Sequence, residues 1–284
     1  MKVHISVDME GIAGIADGAD TTPGAPHYEY CRTLMTGECN AAIEGCYAAG
    51  ATEVIVNDSH GGMLNLIQGQ LDRRARIIRG RTKSYGMMQG IDQDTAATLF
   101  VGYHASAGHA DGVLNHTMRG RDIQGVFLNG EPAGELRLNA ALAGWYDIPV
   151  VLIAGDDVLC GEGRDCLGTV EAVQVKEAIG KYTALSLHPE VAQEQIRDAA
   201  QRAVASVAAG EQRFRPYRVE TPTTLRVAWN STNIAALCEN VPGMKRVADR
   251  EVEYTSADYP ELYRLLRVLL ALAGYCAATA YTYD

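Results

Sequence analysis

The chain has 284 residues, 47% of them hydrophobic, which is enough for a substantial core and excludes general disorder. Its formal net charge of −10 excludes a non-specific nucleic-acid binder, which needs a basic footprint. The N-terminus, MKVHISVDMEG, shows no secretory leader. The longest apolar stretch, 265–273, is broken by Arg267 and too short to span a bilayer, so a cytoplasmic chain with no membrane partner is expected. Seven cysteines, with no CxxC pair, read as core thiols.

Taken in chain order, Lys2 to Val7 is a β-branched run that predicts a buried strand, and a Gly- and Pro-rich loop follows over 11–26. Residues 27–49 predict a helix with Leu34, Ala41, Ala42 and Cys46 among its apolar positions, ended by Gly50. Strands are expected at 52–57, 76–79 and 97–103, with an edge or hairpin strand at 126–128. A helix at 134–145 and a buried strand at 149–154 come next. Strand–helix alternation with continuous apolar strands predicts an α/β fold: a mainly parallel sheet with helices on both faces. After about residue 160 the pattern changes. Helices are expected at 189–209 and 259–278, and strands at 224–229 and 250–255. This predicts a catalytic α/β domain over 1–160. A smaller α+β lobe over 161–284 is then available for oligomerisation and substrate access.

The polar residues fall where such a sheet puts function, outside the carboxyl ends of its strands. The first strand ends at Asp8 and Glu10, the second at Asn57-Asp58-Ser59-His60, and the strand over 97–103 at His104. Adjacent strands lie about 4.8 Å apart, so side chains from neighbouring ends can converge. Two carboxylates and two imidazoles suit a divalent transition metal, zinc first, with manganese or cobalt as alternatives. A second bridging carboxylate invites a two-metal centre. Each residue also has an ordinary role: Asp8 in an Asx turn, Glu10 as a solvated charge, His60 in a turn, His104 as a core histidine. It is their joint placement that points to a site.

Downstream, His116 in Asn115-His116-Thr117 is a catalytic candidate, or a polar loop histidine. Glu135 opens the helix after the turn at 129–134, where the helix dipole alone also favours a carboxylate; Glu131 is its rival. Asp156-Asp157 reads as a helix N-cap or as support for the site. No HExxH, GxSxG, P-loop or strand-following GxGxxG is present. A phosphoesterase on a similar sheet is one alternative, with Arg119 and Arg121 as the nearby cations. A non-catalytic peptide-binding protein is another.

Six segments occur in order: SVDMEG (6–11), VNDSHG (56–61), GYHA (102–105), NHT (115–117), GELRLNA (134–140) and AGDD (154–157). Together with VKEAIGKYTALSLHP (175–189) they resemble the zinc-dependent D-aminopeptidases of the DppA type. The resemblance implies two zinc ions per subunit. Asp8 would bridge them, with Glu10 and His60 on one ion and His104 and Glu135 on the other, and His116 would be the catalytic histidine. It also implies release of N-terminal D-residues such as D-alanine from short peptides, and a ring-type homodecamer of two stacked pentamers. In chemical terms His116 is either the nucleophile or the group that moves a proton to the leaving amine.

Overall fold

A parallel strand cannot return to its neighbour by a tight turn, so each crossover lays a helix on the sheet. The computed structural model describes residues 1–279 and follows that rule except between its second and third strands, whose connection holds only the single 3-10 turn Gln68–Gln70. β1 (Lys2–Val7), α2 (Tyr28–Ala48) and β2 (Glu53–Asp58) form the first crossover; a short α1 (Gly18–Thr21) sits in the loop between β1 and α2. β3 (Arg76–Ile78), β4 (Thr95–Val101) and β7 (Val150–Asp156) add further parallel strands. β8 (Glu171–Gly180) joins β7 in parallel, and β9 (Thr183–Ser186) folds back antiparallel on β8. The seven-stranded order is β3-β2-β1-β4-β7-β8-β9.

A second sheet has the order β11-β12-β10-β5-β6. It is built from β5 (Ile123–Leu128), β6 (Glu131–Pro132), β10 (Thr223–Trp229), β11 (Lys245–Ala248) and β12 (Glu251–Ser256), all antiparallel. The fold is thus α/β with a mainly parallel sheet and a smaller antiparallel lobe. The break in pattern at residue 160 is not the border between the sheets. β5 and β6 precede it yet pair into the second sheet, and β8 and β9 follow it yet extend the first. β5 is an inner strand, between β10 and β6, so the expected hairpin is present but its longer arm is not an edge.

Each face of the main sheet has its own core. Val3, Ile5 and Val7 point to one side, with Met35, Cys39 and Ile43 of α2 and Ile196, Ala200 and Val204 of α5 (Pro189–Ala208). Phe100 and Ile153 point to the other. They meet Leu136 and Leu142 of α3 (Glu135–Trp145), Leu159 of α4 (Asp157–Leu167) and Leu262, Leu266 and Leu269 of α7 (Tyr259–Thr279). α6 (Thr232–Cys238) packs beside α7. By length and composition alone α7 could cross a membrane, because the stretch continues apolar on both sides of Arg267. Its buried leucines are instead part of this core, so it reads as a core helix.

The period-2 alternation of β1 turns His4 and Ser6 to the second face, where both are buried. His4 Nε2–H donates to the Gln89 carbonyl at 3.2 Å and Nδ1 pairs with the Thr98 hydroxyl at 2.9 Å. Burial lowers its pKa from 6.5 to about 4. A histidine buried neutral contributes stability that is complete above pH 6.5 and lost as pH falls towards 4. The shift corresponds to about 3 kcal/mol. We therefore expect parent and His4→Gln urea midpoints to differ at pH 7 and to converge by pH 4. A pH-independent difference would remove His4 from the account.

Candidate metal centre

β2, β1 and β4 are consecutive in the sheet, and their register sets Val7 level with Asp58 and Val101. The residues just past these positions, Asp8, Ser59-His60 and Gly102-Tyr103-His104, therefore leave the sheet at one height. The backbones crowd there. Gly11 N–H donates to the Gly102 carbonyl at 2.8 Å, and a Cβ on Gly11 would sit 1.8 Å from the Tyr103 carbonyl oxygen. Gly102 has φ +70°, and a side chain there would meet the Asp8 carbonyl. Glu135 arrives from elsewhere, at the first turn of α3 behind the β5–β6 hairpin.

Asp8, Glu10, His104 and Glu135 are all buried, while His60 and His116 are half-buried. Asp8 Oδ1 lies 3.5 Å from His60 Nδ1, and Asp8 Oδ2 lies 3.6 Å from His104 Nε2. Glu10 Oε2 is 2.9 Å from His60 Nδ1. Glu135 Oε1 is 3.5 Å from His104 Nε2. His116 Nε2 lies 3.9 Å from Glu10 Oε1 and 3.8 Å from Glu135 Oε1, and its ring stacks on His104 with centroids 4.2 Å apart. The six sequence-predicted residues thus converge on one point. Glu131 does not: it is exposed on β6. Asp156 caps α4 through Leu159 N–H and also accepts from Val113 N–H, in the segment leading to His116.

Each imidazole is anchored through a backbone carbonyl, which can only accept. His104 Nδ1 faces the Ala105 carbonyl at 2.9 Å, His116 Nδ1 the Leu114 carbonyl at 2.8 Å, and His60 Nε2 the Thr21 carbonyl at 3.1 Å. That nitrogen must carry a proton, and the other faces the carboxylates, as His60 Nδ1 faces Glu10 Oε2 at 2.9 Å, so it carries either a second proton or, once that proton is lost, a lone pair for a metal. A bare lone pair against a carboxylate is repulsive, so a proton or a metal cation has to stand between. His104 Nε2 is buried with no hydrogen-bond partner at all. This is the arrangement a metal-ligating histidine needs, with its second nitrogen oriented by a carbonyl.

The electrostatics say the same. Burial and the neighbouring Glu10 push the Asp8 carboxyl up to about 7. Burial would also raise Glu10, but His60 against it wins and holds it well below the usual range. Glu135 is likewise held down by His104 against the cost of burial. His104 rises to about 10 despite burial because of Glu135, and His60 rises through Glu10 and Asp8. His116 is lowered by burial and by His104. Three buried carboxylates demand positive charge, which protons on His60 and His104 supply when no metal does. A bound divalent ion displaces those protons. The donor set, mixed carboxylate oxygen and imidazole nitrogen, fits zinc.

Several supports were not singled out as site residues in the sequence. Lys176 on β8 is fully buried and donates to the carbonyls of Glu10, Ile12 and Ile15 at 2.5, 3.0 and 2.6 Å, fixing the loop that carries Glu10. Glu38 on α2 accepts from Ala13 N–H in the same loop. Asp58, although at a strand end, is spent on Asn65 and Leu66 N–H, and Asn65 in turn donates to the His60 carbonyl. Of the two expected cations, Arg119 lines the cavity over the cluster, whereas Arg121 turns to Asp122 and lines a different one.

Residues 1–268 match the family described as D-aminopeptidase. This chain belongs to the D-aminopeptidase family. It is therefore a peptidase, a hydrolase of peptide bonds, rather than a phosphoesterase or an inert binder. A D-aminopeptidase of Bacillus subtilis (strain 168) is 34% identical over 277 residues, covering 96% of this chain and 98% of that relative. The solved structure of the Zn-dependent D-aminopeptidase DppA from Bacillus subtilis, described as a self-compartmentalizing protease, superposes with a TM-score of 0.91 at 32% identity. It covers 96% of this chain and 98% of that one.

Proposed function

We propose that this D-aminopeptidase uses two zinc ions to release N-terminal D-residues, such as D-alanine, from short peptides. In this reading Asp8, Glu10 and His60 would hold one ion, and Asp8, His104 and Glu135 the other. The observation that carries it is Asp8: its two oxygens face different imidazoles, His60 and His104, at 3.5 and 3.6 Å. The Zn dependence of the Bacillus subtilis relative supports the choice of metal. Bound zinc would supply Lewis acidity at the scissile carbonyl and acidify water near neutral pH.

The rest falls to the chain itself. His116 keeps its Nδ1 proton on Leu114 O and a free Nε2 lone pair beside Glu10 and Glu135. We assign it transfer of a proton from the attacking water, taken up at Nε2, to the leaving amine, which its lowered pKa suits, because a neutral imidazole can first accept one. Lys176 and Glu38 hold the Glu10 loop rigid while this happens.

A ring decamer belongs to the same reading, supported by the self-compartmentalizing relative. The β8–β9 hairpin adds support, because Ile179, Tyr182 and Leu185 are exposed along this sheet edge, as subunit contacts require. A cytoplasmic place is consistent with Cys31, Cys39, Cys46, Cys160 and Cys238 being buried thiols.

The test is metal content of the purified protein, paired with hydrolysis of D-Ala and L-Ala p-nitroanilide before and after chelation. About two zinc ions per chain and chelator-sensitive cleavage of the D substrate are expected. No metal and no cleavage of either substrate would sink the reading.

A further inference from the structure

The cavity over the carboxylate–imidazole cluster has a volume of ≈ 570 Å³, within the usual range for a small-ligand site. Asp8, His116 and Glu135 line it, and so do Arg81, Arg119 and Arg267. Three guanidinium groups in one cavity are unexpected in a chain with 35 acidic and 25 basic residues. Arg119 is accounted for by Asp122, 2.5 Å away. The other two have no such partner. Among the described residues the side chains of Arg81 and Arg267 make no ion pair and no hydrogen bond, and Arg267 Nε is buried without an acceptor. A buried donor left unmet is costly, so its retention calls for an acceptor that arrives from outside.

Arg267 is part-buried, whereas Arg81 reaches the cavity from its exposed rim. A Cβ on Gly62 would lie 3.4 Å from Arg81 Nη2, so this guanidinium lies beside the turn that follows His60. A Cβ on Gly86 would lie 2.9 Å from Arg267 Nε, so Arg267 is seated on bare backbone that any larger residue would fill. Met87 and Met118 and, on α7, Leu270 and Ala271 supply apolar lining to the same cavity.

We propose that Arg81 and Arg267 form a subsite for the C-terminal carboxylate of a short peptide whose N-terminal peptide bond lies at the Asp8–His104–Glu135 cluster. The inference rests on the peptidase reading above and names its substrate class: peptides of two or three residues with a free α-carboxylate. The chain advances about 3.3–3.6 Å per residue, so a carboxylate one or two residues beyond the scissile bond stays within a cavity of this size. The guanidinium fork matches a carboxylate in a two-point contact, which a terminal amide cannot repeat. An acidic side chain offers the same chemistry, and the experiment separates the two sources.

Steady-state kinetics on the zinc-loaded full chain would compare D-Ala-Gly, D-Ala-Gly-amide and D-Ala-Glu-amide. The parent is expected to favour the free acid over the glycine amide by about 10- to 100-fold in kcat/KM, mostly through KM. D-Ala-Glu-amide should be no better than D-Ala-Gly-amide; the reverse would move the assignment to a side-chain carboxylate and overturn the proposal. In Arg81→Gln/Arg267→Gln the acid-to-amide ratio should fall towards one. In Arg197→Gln, remote on α5, it should stay. Equal rates for acid and amide in the parent would also overturn it. If no peptide is cut, the peptidase reading has failed. The subsite is then judged by calorimetric Kd values for a reduced-bond D-Ala-Gly analogue as acid and as amide, where equal affinity overturns it.

Discussion

Replacing Asp8 by asparagine should lower kcat/KM by about 10³-fold, equivalent to about 4 kcal/mol of transition-state stabilisation. The shape is kept and only the charge goes. That charge lies between two imidazoles, since Oδ1 faces His60 and Oδ2 faces His104. Bound metal should fall from about two per chain to one or none. Stability gives a second and less obvious readout. Without metal, burial and Glu10 push the Asp8 carboxyl up to about 7. A carboxyl whose pKa is raised by folding binds more protons in the folded state, so it destabilises the fold increasingly from pH 4 to pH 7 and fully above. The metal-free variant should therefore melt no lower than the metal-free parent at pH 8, and the two should converge near pH 4. With zinc added the order should reverse, because the parent gains the larger binding energy. Metal analysis and melting curves with and without chelator check both halves. A variant that kept its metal and its activity would remove Asp8 from the centre.

The part of this centre legible in the sequence is the part that parallel-sheet geometry makes local. Asp8, Glu10, His60 and His104 each follow a short apolar run, and β2, β1 and β4 turn out to be neighbours in register. Knowing that strands end there was enough to gather them. Glu135 was harder. As residues alone, Glu131 and Glu135 were open alternatives. The structure separates them by exposure, because residue 131 lies on the two-residue strand β6 whereas residue 135 opens α3 beside His104.

What the sequence hid is non-local. β5 pairs with β10 across almost a hundred residues, and no period within either strand announces that partner. β8 reads poorly as a buried strand because Lys176 interrupts its apolar face, yet that lysine is what pins the Glu10 loop. Arg81 and Arg267 are 186 positions apart and sit in no motif; one appeared only as a charge interrupting an apolar run. The sheet's own rule exposes the ligands, while the groups that hold and surround them depend on tertiary packing.

His116 decides between three chemistries, and its alanine variant separates them. A kcat loss of about 10²- to 10⁴-fold is expected, the usual contribution of a positioned acid–base group. Geometry alone also allows His116 to be a metal ligand, since it lies with His104 and Glu135 in a group compact enough to hold an ion. In that case the alanine variant would lose metal along with activity. If His116 moves protons, the metal content should stay and KM should change little, because the group acts on the leaving amine and not on binding. If it is the nucleophile, metal again stays, but rapid-quench mass spectrometry of the parent should trap an acyl-enzyme on His116. We expect retained metal and no acyl adduct. The ring is held on one side by Leu114 O and against the face of His104, so its free nitrogen stays aimed at the carboxylate cluster. Its pKa is lowered by burial and by that same neighbour, which keeps it neutral and ready to accept a proton near neutral pH.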